Sequence, residues 1–134
     1  MSAGANTLLH MATQQPSRVA AMIHVSGTPR FPDQARAIMR ETQGDDALSR
    51  HARAFADDRE DMNFAAATLS AITARTLIVH GDRDPLYPVE QAVELFRGIP
   101  DASLWVVPNG GHGPIFGEQA APFVGTATAF LAAP

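Results

Sequence analysis

A chain of 134 residues, 46% apolar and 18% charged, can bury one continuous core and is too apolar to be disordered. Its net charge of −4 comes without a basic block, which removes the counterion-releasing surface that nucleic-acid binding needs. Cysteine is absent, so disulfides, thiolate catalysis and cysteine-ligated metal sites are excluded.

From the N-terminus, residues 3–15 place Leu8, Leu9, Met11 and Ala12 at helical spacing and stop before Pro16. Residues 19–26 form a short, continuous apolar run, the pattern of a parallel strand covered on both faces. The next segment, 28–73, is too long for a plain connection. Helical patterns at 32–40 and 46–56, with a short piece near 64–69, predict a small helical excursion above the sheet. Within it, Asp57, Asp58, Glu60 and Asp61 surround Arg59 and read as a solvated turn or face. Apolar runs at 76–80 and 103–107 predict two more strands. Between them, residues 88–97 predict a helix that opens on Pro88 and ends at Gly98. A final helix over 118–131 aligns Phe123, Val124, Ala127, Phe130 and Leu131 in one stripe. The alternation predicts an α/β fold, with a parallel sheet of about three strands and crossover helices. No apolar run reaches the roughly 20 residues that span a bilayer, and no signal peptide is visible, so the expected compartment is the cytoplasm.

Three short stretches hold side chains suited to chemistry. Met1-Ser2-Ala3-Gly4 sets a serine at a small-residue turn entering the first helix, where a serine also serves as an ordinary N-cap. In the stretch Leu77 to Pro88, a buried strand ends at Gly81 and Asp84 follows three residues later, with Pro85 and Pro88 stiffening the loop. Open α/β sheets carry functional groups at such strand ends. Asp82 is the alternative acid, and also suits a turn residue bonding its own backbone. In the stretch Trp105 to Pro114, the last strand runs into a loop where Gly110, Gly111 and Gly113 flank His112 and permit tight turning. Imidazole titrates near neutral pH and can take and return a proton. His10 and His24 read as packed or hydrogen-bonded residues, His80 as ordering the acid loop, and His51 as lying on the polar side of an insert helix. No spacing of His, Asp or Glu fits a metal motif.

Met1-Ser2-Ala3-Gly4 resembles the last four residues of Gly-x-Ser-x-Gly, the nucleophile elbow of α/β-hydrolases. With Gly81-Asp82-Arg83-Asp84 and the His112 loop, in the order Ser, Asp, His, the whole chain resembles the C-terminal portion of that superfamily. The resemblance implies a truncated α/β-hydrolase domain over residues 1–134, with a lid insert at about 28–73. It implies Ser2 as nucleophile, His112 as general base and then acid, Asp84 orienting His112, and the Ala3 N–H as an oxyanion donor. The implied substrate is a small ester, lactone or related acyl compound, with no metal or organic cofactor. Carbon–carbon bond hydrolases of the family share the triad and stay open at this point. Because the chain begins inside the motif, the strand over 19–26 is expected at an exposed edge, open to self-association. The reading frame is expected to continue upstream of Met1 with a glycine codon, and the alternative function is a catalytically inactive fragment, mis-started or truncated.

Overall fold

The computed structural model describes residues 1–133. Its elements run α1 (Ala3–Gln14), β1 (Ala21–Val25), α2 (Asp33–Arg40), α3 (Ala47–Asp57), α4 (Ala66–Leu69), β2 (Arg75–Gly81), α5 (Val89–Gly98), β3 (Ala102–Val107) and α6 (Ala120–Ala132). The three strands form one parallel sheet in the order β1-β2-β3. Val25 lies opposite Val79, and Gly81 opposite Val107, so the C-terminal strand ends share one side of the molecule. The loops after β2 and β3, and the turn into α1, therefore meet along one edge.

Each face of the sheet has its own apolar layer. On one face Met22 and Ile78 pack with Leu9 of α1, Leu95 of α5, and Leu69 and Ile72 from the end of the insert. On the other, Leu77, Val79 and Val107 pack beneath Phe123 and Phe130 of α6. Here the predicted five-residue stripe is narrower than expected. Phe123, Ala127 and Phe130 are half-buried, while Val124 and Leu131 are 61% and 55% exposed. A sheet of three strands accepts one ridge of the helix, not a broad face. The guanidinium of Arg75 closes the end of α6 by donating to Phe130 O at 2.9 Å and Ala133 O at 2.7 Å.

The insert is held by side chains bonding to backbone. Asp46 caps α3, accepting from Leu48 N–H and Ser49 N–H at 3.0 Å each. Arg36 of α2 is buried, and its guanidinium donates to the carbonyls of Phe31, Phe55, Ala56 and Asp58. A cation among the open carbonyls at the end of α3 meets the negative end of that helix dipole. Arg30 grips Glu94 of α5 with two bonds of 2.5 Å, tying the insert to the body. Among the described residues, no helix is long and apolar enough to cross a membrane.

His24 of β1 is fully buried, and neither ring nitrogen finds a hydrogen-bond partner among the described residues. Burial pushes its pKa from 6.5 down to about 3, and His80 nearby adds to the effect. The sign follows from linkage. Below the ordinary histidine pKa the unfolded chain takes up a proton that the native state refuses, so stability falls as pH drops from 6.5 toward 3. Between pH 7 and pH 5 this single site is expected to remove about 2 kcal/mol. Urea unfolding at the two pH values should show a smaller loss in His24→Leu than in the parent chain. Equal losses in both would assign the acid sensitivity elsewhere.

Candidate active site

Ser2 sits where the edge of the sheet meets α1. Its N–H bonds to Val25 O at 2.9 Å, and its own carbonyl accepts from Asn6 N–H at 3.0 Å. Between these anchors its backbone is forced to φ 51° and ψ −123°, a region that a residue with a Cβ rarely occupies. Such strain costs about 1–3 kcal/mol and persists only where the surroundings over-determine it. The result is a hydroxyl lifted clear of the helix: Ser2 Oγ lies 2.9 Å from His112 Nε2.

Asp84 lies three residues past the end of β2, with its side chain fully buried. Its Oδ1 accepts from Leu86 N–H at 2.8 Å and from Tyr87 N–H at 3.1 Å. That leaves Oδ2 to accept from His112 Nδ1 at 2.8 Å. An ionised carboxylate only accepts, so Nδ1 carries the proton and Nε2 presents a lone pair to Ser2. Asp82, the other candidate acid, is exposed, and its N–H bonds to Val107 O at 3.3 Å. The structure therefore brings Ser2, His112 and Asp84 together and leaves Asp82 in the turn. The N–H of Ala3 follows the serine at the first turn of α1, where helix geometry supplies no intrahelical partner.

The loops bearing Asp84 and His112 pack backbone against backbone. A Cβ on Gly81 would stand 2.2 Å from Gly110 O. Arg83 N–H donates to that same carbonyl at 2.9 Å. The tight turn in the histidine loop is made by Asn109, at φ 57°, and not by the glycines beside His112. Asparagine tolerates this left-handed conformation because its short polar side chain bonds locally. Gly110 serves close approach instead.

Several residues at the site were invisible to pattern reading. Tyr87 is buried, with its ring edge-on to His112 at 5.4 Å and stacked on Phe31 at 6.3 Å. Its carbonyl accepts from His80 Nε2 at 2.9 Å. Burial lifts the Tyr87 phenol above the ordinary tyrosine range; hydrogen bonding from Asn6 opposes this, Asp84 reinforces it, and Ser2 opposes it. Asn6 is buried one turn along α1 from Ser2, and its Oδ1 accepts from Thr28 N–H at 3.0 Å. Asp61, read in sequence as part of a solvated run, lies 3.4 Å from His10 Nε2. Gln34 of α2 donates to Pro85 O and Leu86 O at 3.1 Å each, linking the insert to the acid loop. Beneath the insert is a cavity of about 400 Å³, whose lining includes Ser2, Phe31, Leu48, Phe55, Met62 and Tyr87.

A family model described as TAP-like protein, of the α/β-hydrolase type, matches residues 57–134, more than half of the chain. The AB hydrolase superfamily protein YisY of Bacillus subtilis (strain 168) is 43% identical over 51 residues, which is 38% of this chain and 19% of that protein. The 2-hydroxy-6-oxononadienedioate/2-hydroxy-6-oxononatrienedioate hydrolase 2 of Pseudomonas putida is 37% identical over 90 residues, 62% of this chain and 31% of that protein. A solved meta-cleavage product hydrolase from Pseudomonas fluorescens IP01 superimposes with a TM-score of 0.72 at 16% identity, covering 95% of this chain and 61% of that one. At that identity the likeness shows the fold. The chain matches about three-fifths of this solved structure and smaller shares of the curated relatives.

The Gly81–Gly110 contact makes a direct prediction. Gly81→Ala drives a methyl group into a carbonyl and is expected to cost about 1–3 kcal/mol, the usual range for overpacking. Gly111→Ala, with no heavy atom within 4 Å of the added Cβ, should leave the urea midpoint nearly unchanged. Equal destabilisation by the two substitutions would contradict the backbone-on-backbone seam.

Proposed function

The chain belongs to the α/β-hydrolase superfamily, and from that premise we propose that Ser2, His112 and Asp84 transfer an acyl group to water by way of a serine ester. The observation that carries this reading is the unbroken hydrogen-bonded line from Ser2 Oγ to His112 Nε2, at 2.9 Å, and from His112 Nδ1 to Asp84 Oδ2, at 2.8 Å. His112 takes the serine proton as Oγ attacks the carbonyl carbon, and returns it to the leaving alcohol. Asp84 keeps the imidazole in the tautomer whose Nε2 is basic. The Ala3 N–H donates to the oxyanion, with the positive end of α1 behind it. A water activated by His112 then attacks the serine ester and frees Ser2.

The cavity supports a neutral substrate, a small ester, lactone or related acyl compound. Phe31, Phe55, Leu48 and Met62 give it apolar walls. No Lys or Arg lines it among the described residues, while Asp61 does. The relative from Pseudomonas putida is named for substrates with two carboxylates. A dianion of that kind would meet Asp61 here with no guanidinium opposite it, only the imidazoles of His10 and His51.

Hydrolysis of p-nitrophenyl butyrate by the chain tests the assignment. Ser2→Ala and His112→Ala are expected to remove turnover, and Asp84→Asn to lower kcat by about 10⁴-fold. Asp82→Asn should stay near the parent rate. Similar losses from the two asparagine variants would reject Asp84 as the orienting acid. Turnover no greater than that of Ser2→Ala would favour a catalytically inactive chain.

A further inference from the structure

The cavity over Ser2 runs on well beyond the atoms that react. We propose that its far end receives a hydroxyl: the preferred acyl group is a straight aliphatic chain whose terminal hydroxyl donates to Asp61 and accepts from His10 Nε2. The inference deepens the acyl-transfer reading and rests on it for the place of the carbonyl.

The direction of the cavity is set by α1. Ser2, Asn6 and His10 line it at intervals of four residues, with Ala3 and Thr7 beside them, so its floor is one stripe of a single helix. At a rise of about 1.5 Å per residue, His10 lies about 12 Å along the axis from Ser2. Over this floor lie Leu48, His51, Ala52 and Phe55, one face of α3 at helical spacing. Ser2 and Ala3 mark the reacting end, whereas His112 is not among the described residues that line the cavity. The leaving group takes its proton from His112 and so stays outside, and the acyl chain is the part that enters. Phe31, Met39, Leu48 and Phe55 give it apolar walls suited to methylene groups.

The far end is polar and incompletely bonded. Asp61 Oδ1 lies 3.4 Å from His10 Nε2, wider than the about 2.7–3.2 Å of a good N–H···O bond. The backbone N–H of Asp61 donates to Asp58 Oδ1 at 3.2 Å, but its carboxylate accepts no hydrogen bond among the described residues. Phe64 backs the His10 ring, tilted 60° to it with centroids 4.9 Å apart. Facing a carboxylate, Nε2 carries a proton whether the ring is neutral or charged. The pair therefore presents one acceptor and one donor side by side. A hydroxyl satisfies both, since it donates once and accepts at its own oxygen. An ammonium only donates and meets the Nε2 proton. A carboxylate only accepts and meets Asp61. A methyl group leaves both polar groups facing hydrocarbon. The side chains of His10 and Asp61 are 28% and 39% exposed, so solvent competes and the preference is a modest one.

The ratio of kcat/KM for two p-nitrophenyl esters tests this. The ω-hydroxyoctanoate and the nonanoate differ only in hydroxyl against methyl at the tip. The parent chain is expected to favour the hydroxy ester about 5–10-fold, as for a hydrogen bond at a half-open site. In Asp61→Leu the ratio should fall to unity or below. His10→Phe keeps a ring against Phe64 but has no donor, and should lower the ratio too. Glu60→Gln, next to Asp61 in the chain but outside the cavity lining, should keep the parent ratio. Each variant is its own reference, so a general loss of rate leaves the ratio untouched. A parent ratio at or below unity, an unchanged ratio in Asp61→Leu, or a stronger preference for the ω-aminooctanoate would overturn the proposal. A second measurement needs no turnover. Methyl ω-hydroxyoctanoate is titrated onto Ser2→Ala with its histidines labelled with ¹³C at Cε1. It is expected to move the His10 resonance, identified by its loss in His10→Phe, further than methyl nonanoate does. Equal shifts from the two esters, or no shift from either, would overturn the hydroxyl site. A parent chain that turns over neither p-nitrophenyl ester would refute the acyl-transfer reading, and the His10 resonance would then decide the hydroxyl site by itself.

Discussion

The site depends on one buried carboxylate whose two oxygens are fully committed. Asp84 Oδ1 is taken by two backbone N–H groups of its own loop, so only Oδ2 faces His112. A buried charge is tolerable only when its lone pairs are satisfied. That requirement sets the path of the loop through Leu86 and Tyr87, and the loop sets the ring of His112. The imidazole tautomer, the target of the serine proton and the burial of Tyr87 all follow from it.

The fold serves this arrangement by bringing three backbone ends to one line. Parallel strands finish on the same side, so the loops after β2 and β3 are neighbours without further design. Their closeness is then limited by side-chain bulk, and Gly81 against Gly110 removes that limit. Ser2, at the start of α1, is pinned to Val25 O and strained to a positive φ. Strain at the nucleophile and burial at the acid both cost stability, and the two apolar layers of the sheet offset them. The insert adds a roof and a tether, through Gln34 to the acid loop and Arg30 to α5.

What could be read from the sequence was whatever repeats or punctuates. The continuous runs in β2 and β3 and the proline and glycine around α5 locate those elements to within a residue or two. The order Ser, Asp, His located the candidate site because each residue lies at the end of a strand or the start of a helix. Pattern reading failed where a contact is made in three dimensions. Tyr87 carries no pattern of its own between Pro85 and Pro88, although its ring stands edge-on to His112. Asp61 is exposed, as its acidic neighbours suggested, but its approach to His10 at the cavity is a contact that composition does not announce. The stripe on α6 was read from periodicity alone, which carries no information about how wide a sheet lies beneath it. The choice between Asp82 and Asp84 was open in sequence because both follow Gly81 within three residues. Only the hydrogen bonds of the loop separate them.

The central claim is that Ser2 is the nucleophile because the turn and His112 make it so. Peptide mapping by mass spectrometry after treatment with a fluorophosphonate tests this most directly. A single phosphonyl adduct is expected on the N-terminal peptide, placed by fragmentation at Ser2 and not Ser17, and none on the peptides holding Ser26, Ser49, Ser70 or Ser103. An adduct on any of those other serines, or a fully unmodified chain, would contradict it.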